Sequence, residues 1–491
     1  MRISTLQHLL EVLGGELVGS SASKRRGVKG FSTDTRSLKK GEVFLAIKGE
    51  QFDGHDFVRE AEKRGAQAAI VTNNWYLVNR RKKWKLPLIV VRDTLDAYGR
   101  IAAEHRRRFK IPVIAVAGSA GKTSTKEMLA TVLSQKFNVL KTEKNYNNRI
   151  GVPATLLQLN SKHEMAVIEI GTNMPGEIAA LCKAVEPTHG VITNIGHEHL
   201  ELLGSIEGVA QEEGALFQWL AQKGGTGFVN LDDDLIKQMS RVLQKQVTYS
   251  RMKRGEYQVK IGRLNEEGAP KIEIVNNKRK SFKPISVQLN TPGKHTAQNA
   301  LAAAAIGATL GVPPTSIKKG LEEYHPPVEK RGGYARLALL RLNDGGRVLN
   351  DTYNANPDSM RVALETLAGI AVGKKGKRIA VLADMAELGR HAPEEHQKIG
   401  EMIPDMGKID VAIFFGRNMR RAYEAIALAD RPARATSFFF RKKENLVRVL
   451  NSLRTPHDVV LVKGSRSMKM EEVVAALEEG IQNSKFKIQK K

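Results

Sequence analysis

The chain lacks the groups that would tie it together covalently or seat it in a bilayer. Its 491 residues include one cysteine, Cys182, so no intrachain disulfide can form, which fits a reducing cytoplasm. The longest uncharged apolar stretch, 300–312, is alanine-rich and too short to span a membrane. The N-terminus carries Glu11 and glycines within an amphipathic pattern, which is not the pattern of a signal peptide. A cytoplasmic protein is expected. Aromatic residues are few, at 5%, and form no repeated platform for stacking bases. Acids are outnumbered, 52 against 78 lysines and arginines, giving a net charge of +26. Such a balance suits nucleic acid, an acidic membrane surface or a polyanionic small substrate. Two basic runs stand out, Arg80 to Lys85 with Trp84 and Arg106 to Lys110 with Phe109; both are expected to be solvated helix ends and loops.

What is present is the composition of a globular protein, 41% hydrophobic and 26% charged, with length for about three domains. The stretch 111–135 organises the rest. Ile111 to Ala117 is an apolar, β-branched run that reads as a buried parallel strand. A tight turn, Gly118-Ser119-Ala120-Gly121-Lys122-Thr123, follows, and then Met128, Leu129, Val132 and Leu133 recur at helical spacing. Strand, glycine turn and helix N-terminus together make an anion site, because backbone N–H groups and the helix dipole face the same point. Lys122 adds a mobile charge and the Thr123 hydroxyl can ligate Mg²⁺. The longer spacing G-x-x-x-x-G-K-[ST] is not met, since its first glycine falls on Val116, but the short form sits where a phosphate loop belongs. A nucleoside triphosphate is the expected ligand.

The fold expected is α/β in three domains. Residues 1–110 read as a small α/β unit, opening with a helix capped by Ser4 or Thr5 and ended by Gly14-Gly15. Residues 111–325 read as a parallel-sheet ATPase domain with strands at Met165 to Ile170 and Gly190 to Ile195, and an antiparallel insert from Glu256 to Leu289. Ligands gather at the carboxyl ends of such strands, where Gly118, Glu169 and His199 all fall. A carboxylate opposite a phosphate-loop hydroxyl is where nucleotide-bound Mg²⁺ finds a second protein ligand. The string His197-Glu198-His199 misses the zincin spacing, because the second histidine would stand at Glu201; His197 is expected in a core or capping role. Residues 326–491, after Pro326-Pro327, read as a Rossmann-like third unit with no second phosphate loop and a short basic tail at Lys485 to Lys491. Its strands are placed at Arg347 to Asn350, Ile379 to Leu382, Val411 to Phe414 and Val459 to Val462.

The strings AGSAGKTSTKEM, NYNNRIGVPATLL, VIEIGTNMPGEI, NIGHEHLELLGS, NDTYNANPDSM, VLADMAELG and VLVKGSRSM together resemble segments of the Mur ligase family, nearly end to end. NDTYNANP and DMAELG resemble the branch that adds D-alanyl-D-alanine. The resemblance implies an N-terminal domain for a UDP-sugar, a central ATPase and a Rossmann-like C-terminal domain that closes on it. It implies an ATP- and Mg²⁺-dependent amide ligase of peptidoglycan precursor synthesis, working as a monomer on UDP-N-acetylmuramoyl-tripeptide and D-Ala-D-Ala through an acyl phosphate. Carried onto this chain, the phosphate loop spans Ala117 to Thr123, and Lys122 contacts the β- and γ-phosphates. Thr123 and Glu169 bind one Mg²⁺ and His199 a second. His295 and Asn299 attend the adenine, Asp351 the ribose and Arg331 the γ-phosphate. Thr35, Arg36, Lys48, Asp53 and His55 contact the UDP-muramoyl group. Asn145, Asn148, Asn354, Asn356 and Ser465 face the remaining substrate.

Two positions depart from the resemblance. Family members carry a carbamylated lysine fourteen residues after the metal histidine, where this chain has Glu213 beside Glu212. Glu213 either supplies the negative charge at the second Mg²⁺ without CO₂, or is a surface carboxylate beside a weakened site. Ala383 replaces a glycine before DMAELG, with little consequence expected. Two alternatives stay open: a sister ligase with another substrate, and a phosphate-loop ATPase that binds nucleic acid.

Overall fold

The computed structural model describes residues 5–19, 27–49, 52–327, 333–428 and 435–479. Ser4, Arg331 and the basic tail at Lys485 to Lys491 lie outside them.

The first helix, Leu6–Leu13, begins where the Thr5 hydroxyl accepts the His8 N–H at 3.2 Å and stops at Gly14 in the left-handed region. Its buried face, Leu6, Leu9 and Leu13, packs on a five-stranded sheet ordered Glu16–Val18, Leu88–Val91, Ala68–Thr72, Val43–Leu45, Phe31–Ser32. Pairing there is parallel except at the Glu16–Val18 edge.

The central sheet has nine strands in the order Ile285–Gln288, Pro270–Asn276, Tyr257–Leu264, Lys245–Ser250, Thr226–Asn230, His189–Ile192, Val113–Ala117, Met165–Glu169, Val139–Lys141. In the 256–289 insert the middle strand, Pro270–Asn276, is antiparallel to both of its neighbours. They extend the parallel sheet through the pairing of Tyr249 with Tyr257. Helices cover both faces, which is why Val113–Ala117 and Met165–Glu169 are buried throughout and read as unbroken apolar runs. On one face, helix Lys122–Ser134 packs against Thr296–Thr309, whose alanines let the two approach closely. On the other lie Glu177–Val185 and Ile206–Lys223.

The third sheet runs Ala338–Arg341, Arg347–Asp351, Val459–Lys463, Arg378–Ala383, Val411–Phe415, Thr436–Phe440, antiparallel at its first pair only. Its outer strands, Ala338–Arg341 and Thr436–Phe440, were not expected. Among the described residues no helix is long and apolar enough to cross a membrane.

The basic residues of both runs are exposed, as expected, except Arg106. Arg106 is buried, its guanidinium satisfied by the carbonyls of Val185 (3.0 Å), Glu186 (3.1 Å) and Phe109 (3.2 Å). Three backbone acceptors replace the water it loses, which is what keeps a buried cation tolerable. Trp84 packs 5.3 Å from Trp75 and lies under the Arg59 guanidinium at 4.2 Å, so its ring is not offered to a base.

Candidate active site

Val113–Ala117 ends at Gly118, with φ +115°, and Gly121, with φ +78°, caps the helix that Lys122 begins. Both need glycine: a Cβ on Gly118 would strike the Thr193 hydroxyl, and one on Gly121 would lie 3.0 Å from Asn299 Oδ1. The loop is pinned to the neighbouring strand end, since Ser119 N donates to Asn194 O at 2.9 Å and Ala120 N to Asn194 Oδ1 at 2.8 Å. Beneath it the Gly118 N–H donates to Glu213 Oε2 at 2.9 Å.

Lys122 folds back over the loop. Its ammonium donates to the Gly118 carbonyl, to Ser119 O at 3.4 Å and to Glu198 Oε2 at 3.3 Å. Burial works against this charge, but Glu198, Glu213 and Glu169 outweigh it and hold the ammonium above its usual range. Glu198 itself is raised by burial. Burial also pushes Glu213 up to about 8, with Lys122 opposing and Glu198 adding to the shift. Glu213 is fully buried, so its reading as a surface carboxylate is overturned. Its neighbour Glu212 accepts the Gly176 and Ile178 N–H groups at 2.6 and 2.7 Å and so holds a helix start.

Glu169 Oε1 accepts from the Thr123 hydroxyl at 3.2 Å and from Asn147 Nδ2 at 2.9 Å. Its Oε2 is buried with no hydrogen-bond partner, 3.9 Å from the Lys126 ammonium. An orphaned carboxylate oxygen beside a threonine hydroxyl fits a hard divalent cation. Among the described residues no three His, Cys, Asp or Glu side chains converge on one point. That suits Mg²⁺, which takes one or two protein ligands and completes its shell with water and phosphate.

His199 has φ +49°, an uncommon backbone for a non-glycine residue. Its Nδ1 lies 2.7 Å from Glu387 Oε2 of the third unit, while Nε2 stands 3.9 Å from Glu198. His197 is neither core nor cap. It is partly exposed, and its N–H donates to Asp358 Oδ2 of the third unit at 2.9 Å.

The third unit thus closes over the loop, and the two enclose a cavity of about 850 Å³. Lys122, Asn145, Asn148, His199, His295 and Asn299 line one wall; Arg336, Asp351, Asn354, Asn356 and Lys463 line the other. Burial holds His295 neutral, down to about 4. Asp351 is tied to Lys463 at 2.6 Å and accepts the Leu337 N–H at 3.1 Å. Burial depresses the Lys463 ammonium despite that partner. Asn356 and Asn148 also do structural work. Asn356 caps Pro357–Gly369 through a reciprocal pair with Ser359, and Asn148 Oδ1 accepts the Gly151 N–H at 2.8 Å.

Two of the expected substrate residues are engaged within the protein. Ser465 is buried outside the cavity, its hydroxyl accepting from Ala386 N at 2.7 Å and donating to Ala355 O at 3.3 Å, so it staples two loops. His55 is buried and has both ring nitrogens engaged, with Asp53 Oδ1 at 2.6 Å and the Thr72 N–H at 3.0 Å. The Ser465 hydroxyl proton and both His55 ring nitrogens are thereby engaged within the protein. In the same unit Arg36 is paired with Asp34 at 2.7 Å, Thr35 is buried, and the backbone of Lys48 pairs antiparallel with that of Asp53. None of these residues lines the cavity.

Glu198, Arg336, Asp358, Glu387 and Lys463 were missed as site residues. Glu198 was legible as the acid within His197-Glu198-His199, and Glu387 and Lys463 stand in polar strings after strand ends. Arg336 has no local signal; only the tertiary fold brings it to the phosphate loop.

A phosphate loop facing amide, acidic and basic groups across two α/β units defines an enzyme that acts on a nucleoside triphosphate. Family models agree along the chain: the Mur ligase family catalytic domain over 27–106, the Mur ligase middle domain over 116–307, and the Mur ligase glutamate ligase domain over 335–466. The chain is 35% identical to the UDP-N-acetylmuramoyl-tripeptide–D-alanyl-D-alanine ligase of Escherichia coli (strain K12), covering 97% of this chain and 98% of that one. It is 34% identical to the ligase of the same name from Bacillus subtilis (strain 168), over 96% and 98%. In structure it is similar to MurF from Acinetobacter baumannii, with a TM-score of 0.82, 30% identity and coverage of 98% and 99%. The MurF ligase of Thermotoga maritima, solved in complex with ADP, gives a TM-score of 0.77 at 25% identity over 92% and 97%. The chain belongs to the Mur ligase family, and it is an ATP-dependent acid–amino-acid ligase.

Proposed function

We propose that this chain joins D-alanyl-D-alanine to UDP-N-acetylmuramoyl-tripeptide, working as a monomer with ATP and Mg²⁺. A terminal carboxylate oxygen of the tripeptide attacks the γ-phosphorus and ADP leaves. The amine of D-Ala-D-Ala then adds to the acyl carbon and loses a proton, and phosphate departs to leave an amide.

Lys122 and the N–H groups of the loop neutralise charge on the transferring phosphoryl oxygens. Thr123 and Glu169 would hold the first Mg²⁺, and His199 a second, whose positive charge would favour the ionised form of Glu213 beneath Gly118. When bound, these cations lower the cost of bringing an anionic carboxylate to an anionic phosphate. Asn299, His295 and Asp351 take the nucleoside, and Arg331, joined by Arg336, takes the γ-phosphate. Asn145, Asn148, Asn354 and Asn356 offer amides to the peptide. Thr35, Arg36, Lys48 and Asp53 take the UDP end. The division of labour follows 1–110 for the UDP-sugar, 111–325 for ATP and 326–491 for closure.

The observation that carries this reading is the buried Glu169 carboxylate, one oxygen bonded to Thr123 and the other unpartnered, behind the wall that Lys122, Ser124 and Asn147 give to the cavity between two units. End-to-end similarity to ligases of that name supports the substrates. Phosphate release should need ATP, UDP-N-acetylmuramoyl-tripeptide and D-Ala-D-Ala together. Release that ignores the omission of either acceptor, or that another amino acid supports equally, overturns the reading.

A further inference from the structure

Lys126 is fully buried on helix Lys122–Ser134, and the reaction as proposed gives it no part. Its ammonium donates to Thr142 O and to Glu127 Oε1, both at 2.7 Å. It also stands 3.9 Å from Glu169 Oε2, the carboxylate oxygen that has no hydrogen-bond partner.

The helix sets this placement. Thr123 and Lys126 are three positions apart, so one helix face presents both to Glu169. The Thr123 hydroxyl bonds Oε1 at 3.2 Å, and the Lys126 ammonium attends Oε2. Thr142 ties the two groups together. Its hydroxyl accepts the Glu169 N–H at 2.9 Å while its carbonyl holds the Lys126 ammonium. The cation is thus fixed behind the carboxylate.

Charge is balanced locally. Glu127 is shared between Lys126 and Lys141, whose ammonium lies 2.6 Å from its other oxygen. Two cations face two carboxylates, and Lys141 answers Glu127, which leaves the charge of Lys126 to Glu169. Stability does not call for this arrangement, since a buried ion pair gains little over well-packed apolar side chains. A fixed cation behind a metal-binding carboxylate does have one direct effect. It weakens the field that the carboxylate offers a divalent cation, and does so strongly where water is excluded.

We propose that Lys126 is a positioning residue that sets the divalent-cation affinity of Glu169, holding it too weak to retain Mg²⁺ until phosphate oxygens are present. With the loop empty, Glu169 is offset by Lys126. Nucleotide phosphates bring the additional negative charge that retention needs, so a bare cation is not trapped on the loop ahead of ATP. The inference rests on the proposed binding of Mg²⁺ by Thr123 and Glu169.

The test counts Mn²⁺ bound to the full chain by electron paramagnetic resonance, with and without ADP. Lys126→Gln removes the charge and keeps an amide to donate to Thr142 O; its melting temperature and ADP binding report the fold. Without nucleotide, it should bind Mn²⁺ at least tenfold more tightly than the unaltered chain. Adding Glu169→Gln should abolish that gain, and Lys141→Gln alone, which leaves Lys126 beside Glu169, should not produce it. Unchanged or weaker Mn²⁺ binding in folded Lys126→Gln overturns the inference alone, provided that Glu169→Gln impairs Mn²⁺ binding in the presence of ADP. If Glu169→Gln leaves that binding intact, the assignment of Mg²⁺ to Glu169 fails and the inference with it. Should Lys126→Gln not fold, the unaltered chain decides. Tight, saturable Mn²⁺ binding without nucleotide that Glu169→Gln abolishes overturns the proposal, and its absence supports it.

Discussion

The carboxylate of Glu213 lies wholly inside the protein and accepts the Gly118 N–H at 2.9 Å, so an acid stands directly behind the first glycine of the phosphate loop. Its position is raised from 4.5 to about 8, chiefly by burial. An acid whose folded pKa exceeds its unfolded one favours folding fully below the unfolded value, and that contribution is lost as pH rises through the folded one. The nucleotide-free protein should therefore lose thermal stability between pH 5 and 8 relative to Glu213→Gln, about 3 °C for each kcal/mol. Parallel melting curves for the two proteins would contradict this.

Gly118→Ala tests the loop itself. The change forces a Cβ into the left-handed region and against the Thr193 hydroxyl. Backbone strain and overpacking together should cost about 3 kcal/mol in denaturant unfolding. ATP binding should be lost even where the protein remains folded.

Lys122→Ala should lower kcat by about 10²- to 10³-fold, the scale for removing one charge-stabilising donor. The KM for UDP-N-acetylmuramoyl-tripeptide should stay nearly unchanged, because Lys122 lines the nucleotide side of the cavity. Steady-state kinetics with each substrate varied in turn will separate the two effects.

The contact of His199 with Glu387 at 2.7 Å joins the central and third units. Its loss in Glu387→Gln should shift the units toward an open arrangement and change kcat and KM together, by about tenfold in kcat/KM. A change confined to kcat would mean that Glu387 does not control closure.

His295 is lowered from 6.5 to about 4 by burial. A base with a depressed folded pKa contributes stability that is complete above the unfolded value and disappears as pH falls through the folded one. The urea midpoint should drop between pH 6.5 and 4, and His295→Gln should flatten that part of the profile.

The phosphate loop was legible because strand, turn and helix signals are contiguous, each a local property of 111–135. The buried strands Val113–Ala117, Met165–Glu169 and Val459–Lys463 were legible because helices on both faces demand unbroken apolar runs. Thr226–Asn230 and Lys245–Ser250 were missed, the second because it opens with two exposed polar residues. The internal bonds of Ser465 and His55 were not legible. Each is a chemically capable side chain whose partners are brought from elsewhere in the chain, Ala386 and Ala355 for one and Thr72 for the other. Arg106 likewise looks like surface charge until Val185 and Glu186 fold beneath it. Pairings at long sequence separation leave no local pattern to read.

Ligation as proposed requires the loop Gly118 to Thr123 to present a γ-phosphate to a carboxylate. The direct measurement supplies UDP-N-acetylmuramoyl-tripeptide carrying ¹⁸O in its terminal carboxylate and follows the label by mass spectrometry. Transfer of one ¹⁸O to inorganic phosphate in each turnover, with the other retained in the new amide, is the predicted result. Label appearing in AMP, or phosphate free of ¹⁸O while amide forms, would contradict it.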